Sequence, residues 1–124
     1  MKTEVLEASG EKILLIDYAG CKSENDMIQI VDEAASQISD PTIKFTLSDV
    51  TGVKFSSGYT DHVKTLVKDV FYPNTTRNAI VGVTGAQGMI VSGMNLFSRS
   101  RRKMVSFSNR EEAIDYLLTA SNEG

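Results

Sequence analysis

Cysteine is almost missing from this chain: Cys21 is the only one among 124 residues. A single thiol excludes an internal disulfide and a thiolate zinc cage, and with them a disulfide-stapled secreted scaffold and a zinc finger. Histidine is equally scarce. His62 stands alone, so a multi-histidine metal site is out of reach and a catalytic triad would depend on this one residue. Long apolar runs are absent too: none approaches the ~20 residues of a membrane-spanning helix. The N-terminal stretch MKTEVLEASGEK lacks the apolar core of a signal peptide, so the expected compartment is the cytoplasm. Nor is there an excess of basic residues. Thirteen Lys and Arg against sixteen Asp and Glu leave a net charge of -3, which argues against general affinity for nucleic acid.

What is present is an ordinary globular composition, 41% hydrophobic and 23% charged. At this length it predicts a single domain over residues 1–124 with one shared core. Residues 3–8 and 12–18 are strand-like runs joined through Ser9, Gly10 and Glu11, the pattern of a hairpin. Ile13 to Ile16 are continuously apolar, which suits an internal strand covered on both faces. Ser23 can cap a following helix, with Glu24 and Asp26 in its first turn, where the backbone dipole favours negative charge. Met27, Ile28, Val31, Ala34, Ala35 and Ile38 set its apolar face, and Asp40 with Pro41 ends it.

Ile43, Phe45 and Leu47 alternate with Lys44, Thr46 and Ser48, predicting a strand with unequal faces. After a loop to Gly58, Tyr59, Val63, Leu66, Val67, Val70 and Phe71 form the stripe of a second helix that stops before Pro73. Residues 78–84 read as a fourth strand. Residues 85–97 read as a third helix, although Gly88 and Gly93 each weaken it by about 1 kcal/mol. A short fifth strand over 104–107 precedes a capping box of Ser108 and Glu111, which starts a fourth helix carrying Ala113, Ile114, Leu117 and Leu118. The expected fold is α/β: a mixed, mostly parallel five-stranded sheet with four helices and right-handed crossovers.

Asp49, Val50, Thr51, Gly52, Val53 and Phe55, followed by Ser56, Ser57 and Gly58, resemble the strand-to-helix signature of STAS domains, the anti-sigma-factor antagonists. In this chain the loop is two residues shorter and the aspartate before the serine pair is absent. A second resemblance is to small STAS-like proteins grouped with the CRAL-TRIO lipid-transfer fold. Residues 16–20, the stretch AIVGVTG over 79–85, and Phe107 with Glu111, Glu112, Ala113 and Leu117 carry it. The resemblance implies a STAS-like fold, and it makes Ser56 and Ser57 candidates for phosphorylation.

In such a sheet, ligands favour the carboxyl ends of the parallel strands. Cys21, Ser56, Ser57, Gly58, Gly85, Gln87 and Ser108 fall at that end and are the expected ligand- or partner-binding residues. Helix N-termini there could hold an anionic group or a phosphoserine. Ser57 is the expected cap of the second helix, since Gly58 and Tyr59 lead directly into its apolar stripe. The helix after Cys21 could lower its thiol pKa, against the plainer reading of a small half-buried residue. Asp17 and Asp49 could pair as acid and base, but acceptors for loop amides are the expected role. Gly82, Gly85 and Gly88 lack the spacing of a dinucleotide or phosphate loop, which leaves close backbone packing. Arg99, Arg101, Arg102 and Lys103 form a basic cluster at the end of the third helix, read as a solvated face.

No constellation specifies a reaction. The expectation is a non-enzymatic STAS-like domain without cofactor or metal, acting on a protein partner or a small apolar or anionic ligand. The alternative is a lipid-binding module with Met89 and Met94 as a mobile gate over an apolar cavity. Met89, Ile90, Val91, Met94, Leu96 and Phe97 exceed what one buried face needs, which suggests a weak homodimer.

Overall fold

The computed structural model describes residues 1–95 and 104–122. The hairpin forms from β1 (Lys2–Ala8) and β2 (Glu11–Asp17). Ser9 at φ 52° and Gly10 at φ 79° make its two-residue turn. Positive φ at both central positions is the conformation whose twist matches the flanking strands. Next come α1 (Glu24–Gln37), β3 (Ile43–Asp49), α2 (Ser57–Leu66), β4 (Arg77–Val81), α3 (Ala86–Asn95), β5 (Met104–Phe107) and α4 (Arg110–Asn122). The strand order is β1-β2-β3-β4-β5, with β1 antiparallel to β2 and every other pair parallel. This is the expected mixed, mostly parallel sheet.

Strand order equals chain order from β2 to β5, so right-handed crossovers place α1, α2 and α3 on one face. Their buried residues accordingly pack with Leu14, Ile16 and Ile80. Ile13, Leu15, Phe45, Leu47 and Ala79 face the other way and are covered by Ala113 and Leu117 of α4. The apolar run Ile13 to Ile16 is thus split between two cores, with all four side chains at most 2% exposed. Each such side chain contributes about 1.5–3 kcal/mol by burial.

Several details differ from the sequence expectation. In α1, Ile30 is buried, while Ile28 and Ala35 are only half-buried. The helical period admits either set, and the tilt of α1 across the sheet selects between them. The alternation along β3 does not separate a core face from a solvent face, because Thr46 and Ser48 are 1% and 7% exposed. They stand beside Leu14 and Ile16, on the face that α1 and α2 cover. The second helix also runs on. After Leu66 it passes through a π-helical turn over Val67–Phe71 and a last α-turn over Tyr72–Asn74. Pro73 sits inside that turn, one residue before the helix ends at Asn74. Strand β4 starts one residue earlier than expected and ends at Val81, because Gly82 turns the chain at φ 88°.

The polar residues on the covered face satisfy one another. Thr46 Oγ1 hydrogen-bonds Asn78 Oδ1, Asn78 Nδ2 donates to Thr75 Oγ1 at 3.0 Å, and Thr75 Oγ1 donates to the Phe71 carbonyl at 2.6 Å. Asn78 is fully buried and ties β3, β4 and the end of the second helix together. Replacing it strands several buried partners, each at the desolvation penalty of an unpaired group. Asn78→Ala is expected to lower unfolding stability by about 2–3 kcal/mol, whereas Thr76→Ala, at an exposed position nearby, should change it by less than about 0.5 kcal/mol. Urea denaturation of the two variants checks this.

Candidate functional site

All four parallel strands end on the same side of the sheet, and the loops that follow build the candidate site. Two aspartates close their strands in the same way. Asp17 Oδ1 accepts the Ala19 amide at 2.9 Å. Asp49 Oδ1 accepts the Thr51 amide at 3.1 Å and the Thr51 hydroxyl at 2.7 Å. These are the expected loop-amide roles, but the second oxygens are also engaged. Arg110, the first residue of α4, donates from Nε to Asp49 Oδ2 at 2.7 Å and reaches Asp17 Oδ2 at 3.3 Å. The loop-amide reading of Asp17 and Asp49 is therefore extended rather than replaced: a guanidinium sits between them and contacts both carboxylates. Partial burial works to raise the Asp49 pKa, but the hydrogen bonds from Thr51 and Arg110 outweigh it and hold it below the usual range. Sequence reasoning missed Arg110, which lies 61 residues from Asp49, and no local pattern signals the pairing.

At the start of α2 the cap is Ser56, not Ser57. Ser56 has the extended backbone of a cap, φ -88° and ψ 162°, and its side chain accepts the Tyr59 amide at 3.3 Å. Ser57 is already helical and exposed. The reason is tertiary. Glu24, the first residue of α1, reaches across so that Oε1 accepts from the Ser56 hydroxyl at 2.7 Å and from the Tyr59 amide at 3.2 Å. Gly58 makes room for this carboxylate, since a Cβ there would lie 2.2 Å from Glu24 Oε1. At α1 itself Ser23 caps as expected, accepting the Asp26 amide at 3.2 Å.

Between the starts of α1 and α2 lies a surface groove of about 200 Å³, lined in part by Cys21, Met27, Val53 and Ser56 and flanked by Lys22 and Lys54. It brings together two of the expected residues, Cys21 and Ser56, which are 35 positions apart in sequence. Cys21 is not activated. Burial raises its thiol pKa, and Asp26 and Asp17 add to the rise against the lowering effect of the N-terminal ammonium. The plainer reading of a small half-buried residue is the one that fits, with burial the largest cause of the raised pKa.

The remaining expected residues lie outside this groove. Gln87 is structural: its Nε2 donates to the Val53 carbonyl at 2.6 Å and its Oε1 accepts the Thr84 amide at 3.2 Å. Gly85 turns the chain into α3 at φ 49° with open space around it. Close packing holds for Gly82, where a Cβ would come within 2.3 Å of Thr51 Oγ1, but not for Gly85 or Gly88. Ser108 does not form the expected box with Glu111. Asn109 caps α4, with its Oδ1 accepting the Glu112 amide at 2.9 Å, and the Ser108 hydroxyl donates to Glu112 at 3.2 Å. His62 pairs with Asp32 at 2.6 Å across α1 and α2, on the surface.

Beneath α2 is a cavity of about 30 Å³ walled by Phe55, Val63, Val67 and Phe71, with Thr46 and Ser48 on its floor. Tyr18 and Tyr59 close one side, their hydroxyls 2.7 Å apart and their rings edge to face at 5.8 Å. Burial raises both phenol pKa values. The volume suits one or two waters, since an apolar cavity that takes up benzene measures about 150 Å³. Among the described residues α3 contributes nothing to this lining, so the methionine-gated cavity finds no support in it. On α3, Val91 is buried and Met89 is 78% exposed. Leu96, Phe97, Arg99, Arg101, Arg102 and Lys103 lie outside the described residues. Among the described residues, no group of three acidic, histidine or cysteine side chains could hold a metal ion, and no helix is long and apolar enough to cross a membrane.

No family model and no curated protein matches the chain. A solved structure does. It is an uncharacterised protein of the DUF3478 family with a SpoIIAA-like fold from Shewanella loihica PV-4, at TM-score 0.66 and 17% identity, covering 94% of this chain and 92% of that one. The fold of this chain is therefore SpoIIAA-like, in keeping with the STAS resemblance of its sequence. The CRAL-TRIO part of the resemblance finds no support in this comparison.

Two outcomes follow from this geometry. Ser56→Ala should cost about 1 kcal/mol, while Ser57→Ala should cost at most a few tenths; thermal melts of the pair separate them. Arg110→Met should destabilise by about 1 kcal/mol at neutral pH. Because Asp49 titrates below its unfolded value, its contribution is complete above the unfolded pKa of about 3.9 and disappears as pH falls through the folded one. The gap between Arg110→Met and wild type should then shrink towards zero on acidification, which denaturant titrations at stepped pH would show.

Proposed function

We propose that this protein is a non-enzymatic binding or regulatory domain that engages a protein partner through the groove between the N-termini of α1 and α2. The observation that carries this reading is the convergence of Cys21 and Ser56, with Lys22 and Lys54 flanking them. Both lysines are exposed and place positive charge at the rim, where Ser23 and Glu24 already satisfy the Asp26 and Tyr59 amides of the two helices. An acidic segment of a partner, or a small anionic ligand presented by it, suits that field. The SpoIIAA-like fold supports a binding role by analogy only, because fold does not imply function. Asp17 and Asp49 are committed to Arg110, and Cys21 has a raised pKa, so the titratable groups near the groove are arranged for structure rather than proton transfer.

Charge reversal provides the test. The double variant Lys22→Glu, Lys54→Glu should weaken binding of the cellular partner by about tenfold or more through repulsion of an acidic segment. Lys44→Glu, at the amino end of β3, should leave it unchanged, and so should His62→Ala. In vivo crosslinking followed by affinity measurement on the captured partner decides. Equal binding by the double variant and wild type would place the interface elsewhere.

A further inference from the structure

Packing alone does not account for Ser48. It stands on β3, the central strand, paired with Ile16 on one side and Ile80 on the other, on the face that α1 and α2 cover. It is only 7% exposed. Thr46, on the same face, bonds to Asn78. The Ser48 hydroxyl has no such partner among the described residues and borders the cavity beneath α2 instead. A buried hydroxyl left unbonded is destabilising, and an apolar side chain would continue the isoleucine row without that cost. The tyrosine pair that closes one side of the cavity has a similar surplus. Two phenol hydroxyls carry two donor protons, and the 2.7 Å bond from Tyr59 to Tyr18 uses one of them. The Tyr18 proton meets no acceptor among the described residues. Thr46 Oγ1, which donates to Asn78, keeps a lone pair. The other lining side chains are apolar and, Phe55 apart, at most 8% exposed.

We propose that this cavity is a water-binding site, in which one or two internal waters link the Ser48 hydroxyl to the unused O–H of Tyr18. An internal water needs about 10–15 Å³ of such volume and two to four polar partners; the cavity measures about 30 Å³ and is bordered by Ser48, Thr46 and Tyr18. The water accepts from Tyr18 and donates to Ser48 Oγ or to the remaining lone pair of Thr46. Solvent thereby joins three elements that no side-chain bond connects at this point: the chain just after β2 through Tyr18, β3 through Ser48, and α2 through Tyr59, which is bonded to Tyr18. The same chemistry selects against an apolar occupant, which would leave the serine and the phenol without partners.

Water itself is the probe. In water–protein NOE and ROE spectra of the wild type, the methyl groups of Val63 and Val67, which line the cavity and are buried, should show cross-peaks with the sign of water that tumbles with the protein. Ser48→Val places methyl groups where the hydroxyl was and should abolish those cross-peaks. Both tyrosine hydroxyls remain in that variant, so the loss separates resident water from exchange relayed through phenol protons. Ser48→Ala gives a second reading by its sign. If the hydroxyl bonds to water, its removal should raise the unfolding equilibrium constant about tenfold in urea titrations; if it stands unbonded in a dry void, removal leaves the constant unchanged or lowers it, and the proposal fails. Wild-type spectra without the cross-peaks would overturn it as well, and so would an organic molecule retained at one equivalent in native mass spectrometry. None of these readouts involves the groove between α1 and α2, so the outcome is independent of the lysine charge reversals.

Discussion

Burial of β2 on both faces is the constraint from which the architecture follows. Ile13 and Leu15 need one apolar layer, and Leu14 and Ile16 need another on the opposite side. A hairpin can protect the edge of such a strand but not its faces, so helices must lie on both sides of the sheet. Sequential strand order with right-handed crossovers supplies three of them to one side only. The last helix is left to cover the other, and α4 does so with Ala113 and Leu117, both fully buried. Because strand order never reverses, the sheet has no switch-point crevice of the kind that holds cofactors in doubly wound folds. The carboxyl end carries a shallow groove instead.

That end is held by charged side chains that each join distant parts of the chain. Arg110 fastens the start of α4 to the ends of β2 and β3, and Glu24 fastens the start of α1 to the start of α2. These contacts engage two aspartates with one guanidinium and satisfy the Tyr59 amide at one helix N-terminus with a glutamate. What remains accessible is the edge beside Cys21 and Ser56, with its flanking lysines. A surface of that kind suits recognition. Among the described residues, the cavity under α2 is water-sized and the buried polar residues Thr46, Thr75 and Asn78 satisfy one another.

The sequence by itself determined the elements and the fold class. Continuous apolarity marked β2 as internal, Ser9 and Gly10 marked the hairpin turn, Ser23 marked the start of α1, and the stripe from Tyr59 to Phe71 marked the second helix. These are local signals with a period or a cap behind them, and they survive because each agrees with the packing that follows. The strand-to-helix segment from Asp49 to Gly58 carried the fold resemblance for the same reason.

Tertiary structure decided the rest, wherever a residue's role depends on a neighbour far away in the chain. Thr46 and Ser48 look like a solvent face until α1 and α2 cover them and Asn78 accepts the Thr46 hydroxyl. Asp17 and Asp49 are legible as loop-amide acceptors, but only the fold brings Arg110 from the far end of the chain to their second oxygens. Ser57 and Ser56 are equally good caps by type, and only Glu24, 32 residues upstream of Ser56, selects between them. Periodicity and capping act over three or four residues, so they are legible in one dimension. Ion pairs and shared carboxylates act over a few ångströms of space, and the chain has to fold before those distances exist.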